Sequence, residues 1–200
     1  MMTDMIDMVE PSRAKRLKAL THEVHDALDK SVMEASSFDD LMGYGRFVQM
    51  QWAFHRQIDA LYDDKRLQTV LPGLQDRRRM ALIAADLVDL GLAPPEVENR
   101  PIFPSGVTPD LPTALGWLYV AEGSNMGAAL LRKQAARMGL SDVYGARHLA
   151  PAETGPAAHW REFTAALDSA QLTESEEARV VQGAQAAFAC VQELAHACLG

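Results

Sequence analysis

Residues 113–129 read TALGWLYVAEGSNMGAA, and the helical period they set continues through Met138 until Gly139 stops it. This predicts one long helix from about Thr113 to Met138. The helix breaks its own rules, because Gly116, Gly123 and Gly127 lie inside it and an internal glycine costs about 1 kcal/mol relative to alanine. Gly123 and Gly127 are one turn apart and share a face. Two readings explain them. Either a second helix packs closely there, or a flat, bulky ligand approaches the backbone where any Cβ would collide with it. In the second case the helix can also bend at the glycines and leave a backbone carbonyl for a polar group.

The rest of the chain is helical in the same way, and strand alternation is sustained nowhere. A first helix is expected from Ser12 to Lys30, with Leu17, Leu20, Val24 and Leu28 on one stripe. A second begins near Ser37–Asp39 and runs to Tyr62, with Tyr44, Phe47, Phe54, Ile58 and Leu61 as its apolar positions. Leu71-Pro72-Gly73 is a breaker, and a third helix follows from Asp76 to Leu90, capped by Gly91. A proline-bearing loop from Pro94 to Pro109 precedes the glycine helix. After it come a short helix around His159–Leu167 and a last helix opened by the capping box Thr173-x-x-Glu176. The expected architecture is all-α in one domain, residues 11–200, behind a disordered tail at 1–10.

Composition narrows the function. The 200 residues are 48% hydrophobic and 23% charged, and 19 basic against 27 acidic residues give a net charge of −8. That balance opposes nucleic-acid binding through a general positive field. No apolar run reaches the roughly 18 residues that cross a bilayer, and Asp4, Asp7 and Glu10 stand where a signal peptide carries lysines. No membrane partner is expected. Cys190 and Cys198, eight apart on a helix, would be about 12 Å apart, too far for a disulfide. Two reduced cysteines suit a cytoplasmic protein.

Histidines supply the second anomaly. At about 100° per residue, His25 falls about 80° and His22 about 140° from the apolar stripe of the first helix. His25 therefore flanks the core and His22 points to solvent. Lys18 lies at about 100° on the side of His25, two turns below it. A ligating imidazole with a cation beneath it suits a metal carried by an anionic organic ring; a hydrogen-bonded structural histidine is the plainer reading. On the second helix Gln51 and His55 share a face among aromatics. A zinc site is poorly served, since no HExxH is present, and a di-iron bundle would need more than the single Glu193-x-x-His196. No GxSxG, P-loop or GxGxxG occurs.

From about Ala14 to Phe188 the chain resembles the bacterial heme oxygenases. The resemblance rests on Ala14-Lys15-Arg16-Leu17-Lys18 with Thr21-x-x-x-His25, Arg46-Phe47-Val48 leading to Gln51 and His55, and Pro72-Gly73-Leu74 with Arg79. It continues through Asp86-Leu87-x-Asp89-Leu90-Gly91, the stretch Gly116 to Ala129, Gly145-Ala146-Arg147-His148-Leu149-Ala150 and Gln182-Gly183-Ala184.

The resemblance implies a helical bundle with heme b sandwiched between the first, proximal helix and a glycine-kinked distal helix. It makes His25 the iron ligand, and Lys18, Tyr119, Gly123, Ser124 and Gly127 heme contacts. Arg79, Gln51 and His55 match the residues that hold the distal water network. It further implies oxidative cleavage of heme to biliverdin, CO and Fe2+, with O2 and electrons from an external donor such as a ferredoxin or flavoprotein reductase. Arg77-Arg78-Arg79 could help dock that donor, although for Arg77 and Arg78 a solvated helix face is the plainer reading. Where the family has a C-terminal tyrosine near the propionates, this sequence has Val191. A non-catalytic heme-storage protein on the same fold, or a related helical fold handling a small metabolite without heme, are the alternatives.

Overall fold

A computed structural model describes residues 12–35, 40–96 and 100–199; the tail expected at 1–10 and the helix start expected at Ser37–Asp39 lie outside them. Eight α-helices occur among the described residues: α1 Arg13–Ala35, α2 Leu41–Ile58, α3 Lys65–Val70, α4 Met80–Asp89, α5 Leu111–Ser124, α6 Ala128–Arg137, α7 Pro156–Ser169 and α8 Glu174–Leu199.

On α1 the buried stripe is Leu17, Thr21 and Leu28. Leu20, expected on it, is 58% exposed, because it sits about 60° off the line that Leu17, Thr21, Val24 and Leu28 make at helical rotation. Thr21 takes the place since its hydroxyl donates to the carbonyl of Leu17 at 2.7 Å and so enters the core satisfied. Arg13 pins the start of this helix. Its guanidinium reaches Glu177 at 2.6 Å and donates to the carbonyl oxygens of Leu167 and Ala170.

Asp40 caps α2 by accepting from the Gly43 amide at 2.7 Å, and Tyr44, Phe47, Phe54, Ile58 and Leu61 are all buried as expected. The helix ends four residues earlier than the period suggested, passing into a 3-10 turn over Asp59–Asp63. Asp64 then caps α3 with bonds from the amides of Arg66 and Leu67.

The helix expected from Asp76 to Leu90 is divided. Leu74–Arg77 is a 3-10 turn, Arg78 is extended, and α4 starts only at Met80. Three consecutive arginines cause the division, since each has a partner in a different direction. Arg77 bonds Glu122, Arg78 bonds Asp59 and Asp63, and Arg79 bonds the carbonyls of His148 and Ala150.

The long glycine helix is also two helices. Asp110 caps α5 through the Thr113 amide, and α5 stops at Ser124. Amides 125 to 128 then bond the carbonyls of residues 122 to 125, three residues back. The carbonyls of residues 122 to 125 are thus drawn into tighter bonds. α7 extends beyond the expected His159–Leu167 at both ends, and Thr173 and Glu176 form the expected capping box on α8.

α5 and α8 make the central crossing. Two core clusters flank it, one around Leu17, Phe54, Trp117, Leu118, Phe163 and Phe188, the other around Tyr44, Phe47, Met50, Ile83, Leu87 and Leu149.

Candidate functional site

Between the two clusters runs a slot with two contiguous lobes of about 490 and 380 Å3, within the range of small-molecule sites. Both lobes are lined by His25 and Leu28 of α1, Met50 and Gln51 of α2, Gly123, Ser124 and Met126 at the α5–α6 turn, and Val191 of α8. Phe47, His55, Arg79, Gly127 and His148 belong to the larger lobe. Lys18, His22, Phe54, Tyr119 and Phe188 belong to the smaller. All nine residues singled out in the sequence for the heme site therefore line one slot, although they come from three helices, the segment before α4 and a turn.

His25 stands half-exposed on the slot, its ring edge-on to Phe188 at 5.9 Å, with Nδ1 3.7 Å from Asp26. His22 borders only the smaller lobe and is more exposed, its Nδ1 3.4 Å from Asp26. The helical phase separated the two correctly. Lys18 is exposed at the mouth of the smaller lobe, and Tyr119 lies buried against Trp160, ring centroids 5.6 Å apart. Among the described residues no group of three His, Cys, Asp or Glu could hold a metal ion by itself.

The glycines separate into two kinds. A Cβ on Gly116 would overlap the backbone of Val180 and Ala184, and one on Gly183 the carbonyl of Thr113. Close helix packing accounts for that pair. A Cβ on Gly123 would meet only the Trp160 ring, at 3.6 Å, and one on Gly127 only the Ser124 carbonyl, at 3.7 Å. Both are ordinary contacts, so the protein's own packing does not demand glycine there. Both line the slot.

The larger lobe is polar at its inner end. Arg79 is held by the carbonyls of His148 and Ala150 at 3.1 and 3.0 Å, and burial lowers its pKa from the usual arginine value. Burial, then the neighbouring His148 and Arg79, push His55 from 6.5 down to about 3, so it is neutral at physiological pH. Nδ1 of His55 and Nε2 of His148 are buried without a hydrogen-bond partner, and both rings line this lobe. Two orphan polar atoms facing one cavity mark a place built to hold solvent or ligand. Among the described residues no carboxyl side chain lines either lobe.

His148 was quoted in a motif but given no role from sequence. Its partner Asp86, 2.7 Å from Nδ1, lies 62 residues away, and no periodicity links them. The basic cluster is a correction as well. Arg77 is 6% exposed and bonds the buried Glu122 at 2.9 Å, while burial lifts that carboxyl above its ordinary range against the pull of Arg77. Arg78 is spent on Asp59 and Asp63, and Arg79 faces the slot. The triplet forms no free docking patch.

A helical fold that brings His25 of α1 and a bare glycine turn into the lining of one slot defines a protein built around a bulky ligand. Comparison with known proteins agrees. The heme oxygenase family profile matches residues 105–197. Heme oxygenase PigA of Pseudomonas aeruginosa is 40% identical over 176 residues, which cover 88% of this chain and 87% of that one. A heme oxygenase of Neisseria meningitidis, solved with NO and CO bound, superimposes with a TM-score of 0.87 at 39% identity, covering 94% of this chain and 92% of that chain. One from Leptospira interrogans shares the fold at 21% identity, TM-score 0.71, covering 92% and 98%. The chain belongs to the heme oxygenase family.

Proposed function

We propose that this chain binds heme b as substrate and cofactor at once and cleaves it to biliverdin, CO and Fe2+, using O2 and electrons from a separate ferredoxin or flavoprotein reductase, with residues 11–200 as a single catalytic domain. The observation that carries this reading is the glycine turn facing His25 across the slot, its two glycines unexplained by protein packing. The orphan nitrogens of His55 and His148 and the absence of a ready-made metal cluster among the described residues fit the same group.

When bound, heme supplies the redox-active iron and the carbon that is oxidised. His25 would hold the iron, its ring braced by Phe188. Lys18 and Tyr119, together on the smaller lobe, take the propionates and so set the rotation of the ring. With Val191 lining both lobes, the C-terminal helix offers no hydroxyl there, which leaves Lys18 and Tyr119 as the main polar seats. Gly123, Ser124 and Gly127 bring backbone close over the opposite face and confine a small reactant toward the ring edge. Gln51, neutral His55 and Arg79 hold solvent beside it. With no carboxyl side chain of the described residues on either lobe, protons would reach that space through weak acids and solvent. Free Cys190 and Cys198, with burial raising the Cys190 thiol to about 11, support a reducing, cytoplasmic setting. Among the described residues no helix is long and apolar enough to cross a membrane.

The test is to add hemin, then a reducing system and O2, and to follow the visible spectrum. Heme uptake followed by loss of the Soret band and appearance of biliverdin is the expected result. A stable Soret band under turnover conditions would mark a heme-storage protein instead, and no uptake would overturn both.

A further inference from the structure

His148 is the best-fixed polar side chain on the slot, and its free end points to a role of its own. Asp86 is completely buried. Its Oδ1 accepts from the Arg147 amide at 3.0 Å and from the Arg147 guanidinium at 3.2 Å. Its Oδ2 accepts from the His148 amide at 3.0 Å and lies 2.7 Å from His148 Nδ1. A carboxylate served in this way is an acceptor only, so the imidazole proton must sit on Nδ1. Phe47 packs on the ring at a centroid distance of 6.2 Å and fixes its plane. Arg79 bonds the His148 carbonyl and holds the segment. The remaining nitrogen, Nε2, is buried and has no partner, and it belongs to a ring whose residue lines the larger lobe.

We propose that His148 is a positioning residue that sets the direction of hydrogen bonding in the larger lobe: locked by Asp86 as the neutral Nδ1–H tautomer, it presents Nε2 as a fixed acceptor. This deepens the heme oxygenase reading and rests on it. A water molecule in the lobe donates one proton to Nε2, which leaves its second proton directed toward the ring face and whatever small ligand lies there. Asp86 is thus the origin of a polarity carried from Asp86 to His148, to water, to the ring. His55 Nδ1, orphaned in the same lobe, is the second contact that keeps the water in place. No proton needs to move for this; the dyad only orients.

Two measurements test it. In the 15N-labelled apo-protein at neutral pH, long-range imidazole nitrogen–proton correlations are expected to show His148 as Nδ1–H with an unprotonated Nε2. An Nε2–H tautomer, or a doubly protonated ring, overturns the proposal. In the ferrous heme–CO complex, a proton directed at the ligand lowers the C–O stretching frequency. His148→Leu is therefore expected to raise that frequency, and His148→Gln, which restores an acceptor, to bring it back toward wild type. An unchanged or lowered frequency in His148→Leu also overturns it. If the leucine variant does not fold or take up heme, the tautomer in wild type decides alone. Neither readout uses turnover, so a protein that binds heme without degrading it would fail the functional reading while leaving this test intact.

Discussion

Gly116 and Gly183 face each other where α5 crosses α8, each so close to the other helix that a single methyl would enter its backbone. Gly123, two turns along the same helix from Gly116, faces no backbone at all. Alanine should separate the two kinds. Gly116→Ala or Gly183→Ala overpacks a rigid contact and should destabilise the apo-protein by about 1–3 kcal/mol or more. Gly123→Ala should leave apo stability unchanged or raise it by up to about 1 kcal/mol, the helix propensity gained. Thermal melts without heme check both. Gly123→Leu or Gly127→Leu should instead spoil heme uptake or divert oxygen into peroxidase activity, and normal biliverdin yield from both would return these glycines to plain packing.

His25→Ala should lose the axial imidazole signature in the heme-bound spectrum, weaken heme binding and abolish turnover. His22→Ala should be nearly silent, since His22 borders only the outer lobe and is largely exposed. The reverse pattern would overturn the assignment of the iron ligand.

Lys18 and Tyr119 share the smaller lobe, and the ring rotation they set selects the meso carbon that meets the confined oxygen. Attack at the α position, giving biliverdin IXα, is the expected default. Lys18 is exposed, so its ion pair contributes about 1 kcal/mol or less. Lys18→Glu should therefore mix the isomers without stopping cleavage. Chromatography of the bilins reads the ratio; wild-type product rich in β or δ isomers, or an unchanged ratio in the variant, would refute the seating.

Stability of the apo-protein should fall on the acid side because of His55. Its folded pKa is depressed to about 3 from 6.5, so between those values the unfolded chain binds a proton that the folded chain refuses. The contribution is whole above pH 6.5 and is lost as pH falls toward 3, at a slope of up to about 1.4 kcal/mol per pH unit for one proton. His55→Gln should flatten that part of the stability curve. An identical slope in the variant would mean that the ring protonates freely in the folded state.

Helix content was legible because it follows from period on each element, and the membership of the slot because the family resemblance carried it residue by residue. Leu20 misled because a threonine that satisfies its own hydroxyl imitates an apolar residue. Residues 76–90 read as one helix because propensity sees each arginine as a helix former and cannot see three partners lying in three directions. The α5–α6 turn was half legible: the glycines announced an interruption, but the i→i−3 bonds that absorb the carbonyls depend on the backbone path. The Asp86–His148 pair was hidden by sequence distance alone, as was the buried partner of Arg77.

The slot lies between the two apolar clusters, with Leu28, Phe54 and Phe188 contributed by one and Phe47, Met50 and Leu149 by the other. A ring seated there acts as mortar between two halves of a wall, and it is the material the reaction consumes. The chain is most cohesive when a cycle begins and loosest when the linear product has lost its iron and its planarity. Letting go of that product is then a matter of the interior coming apart along a seam it already has, and the next ring restores the joint.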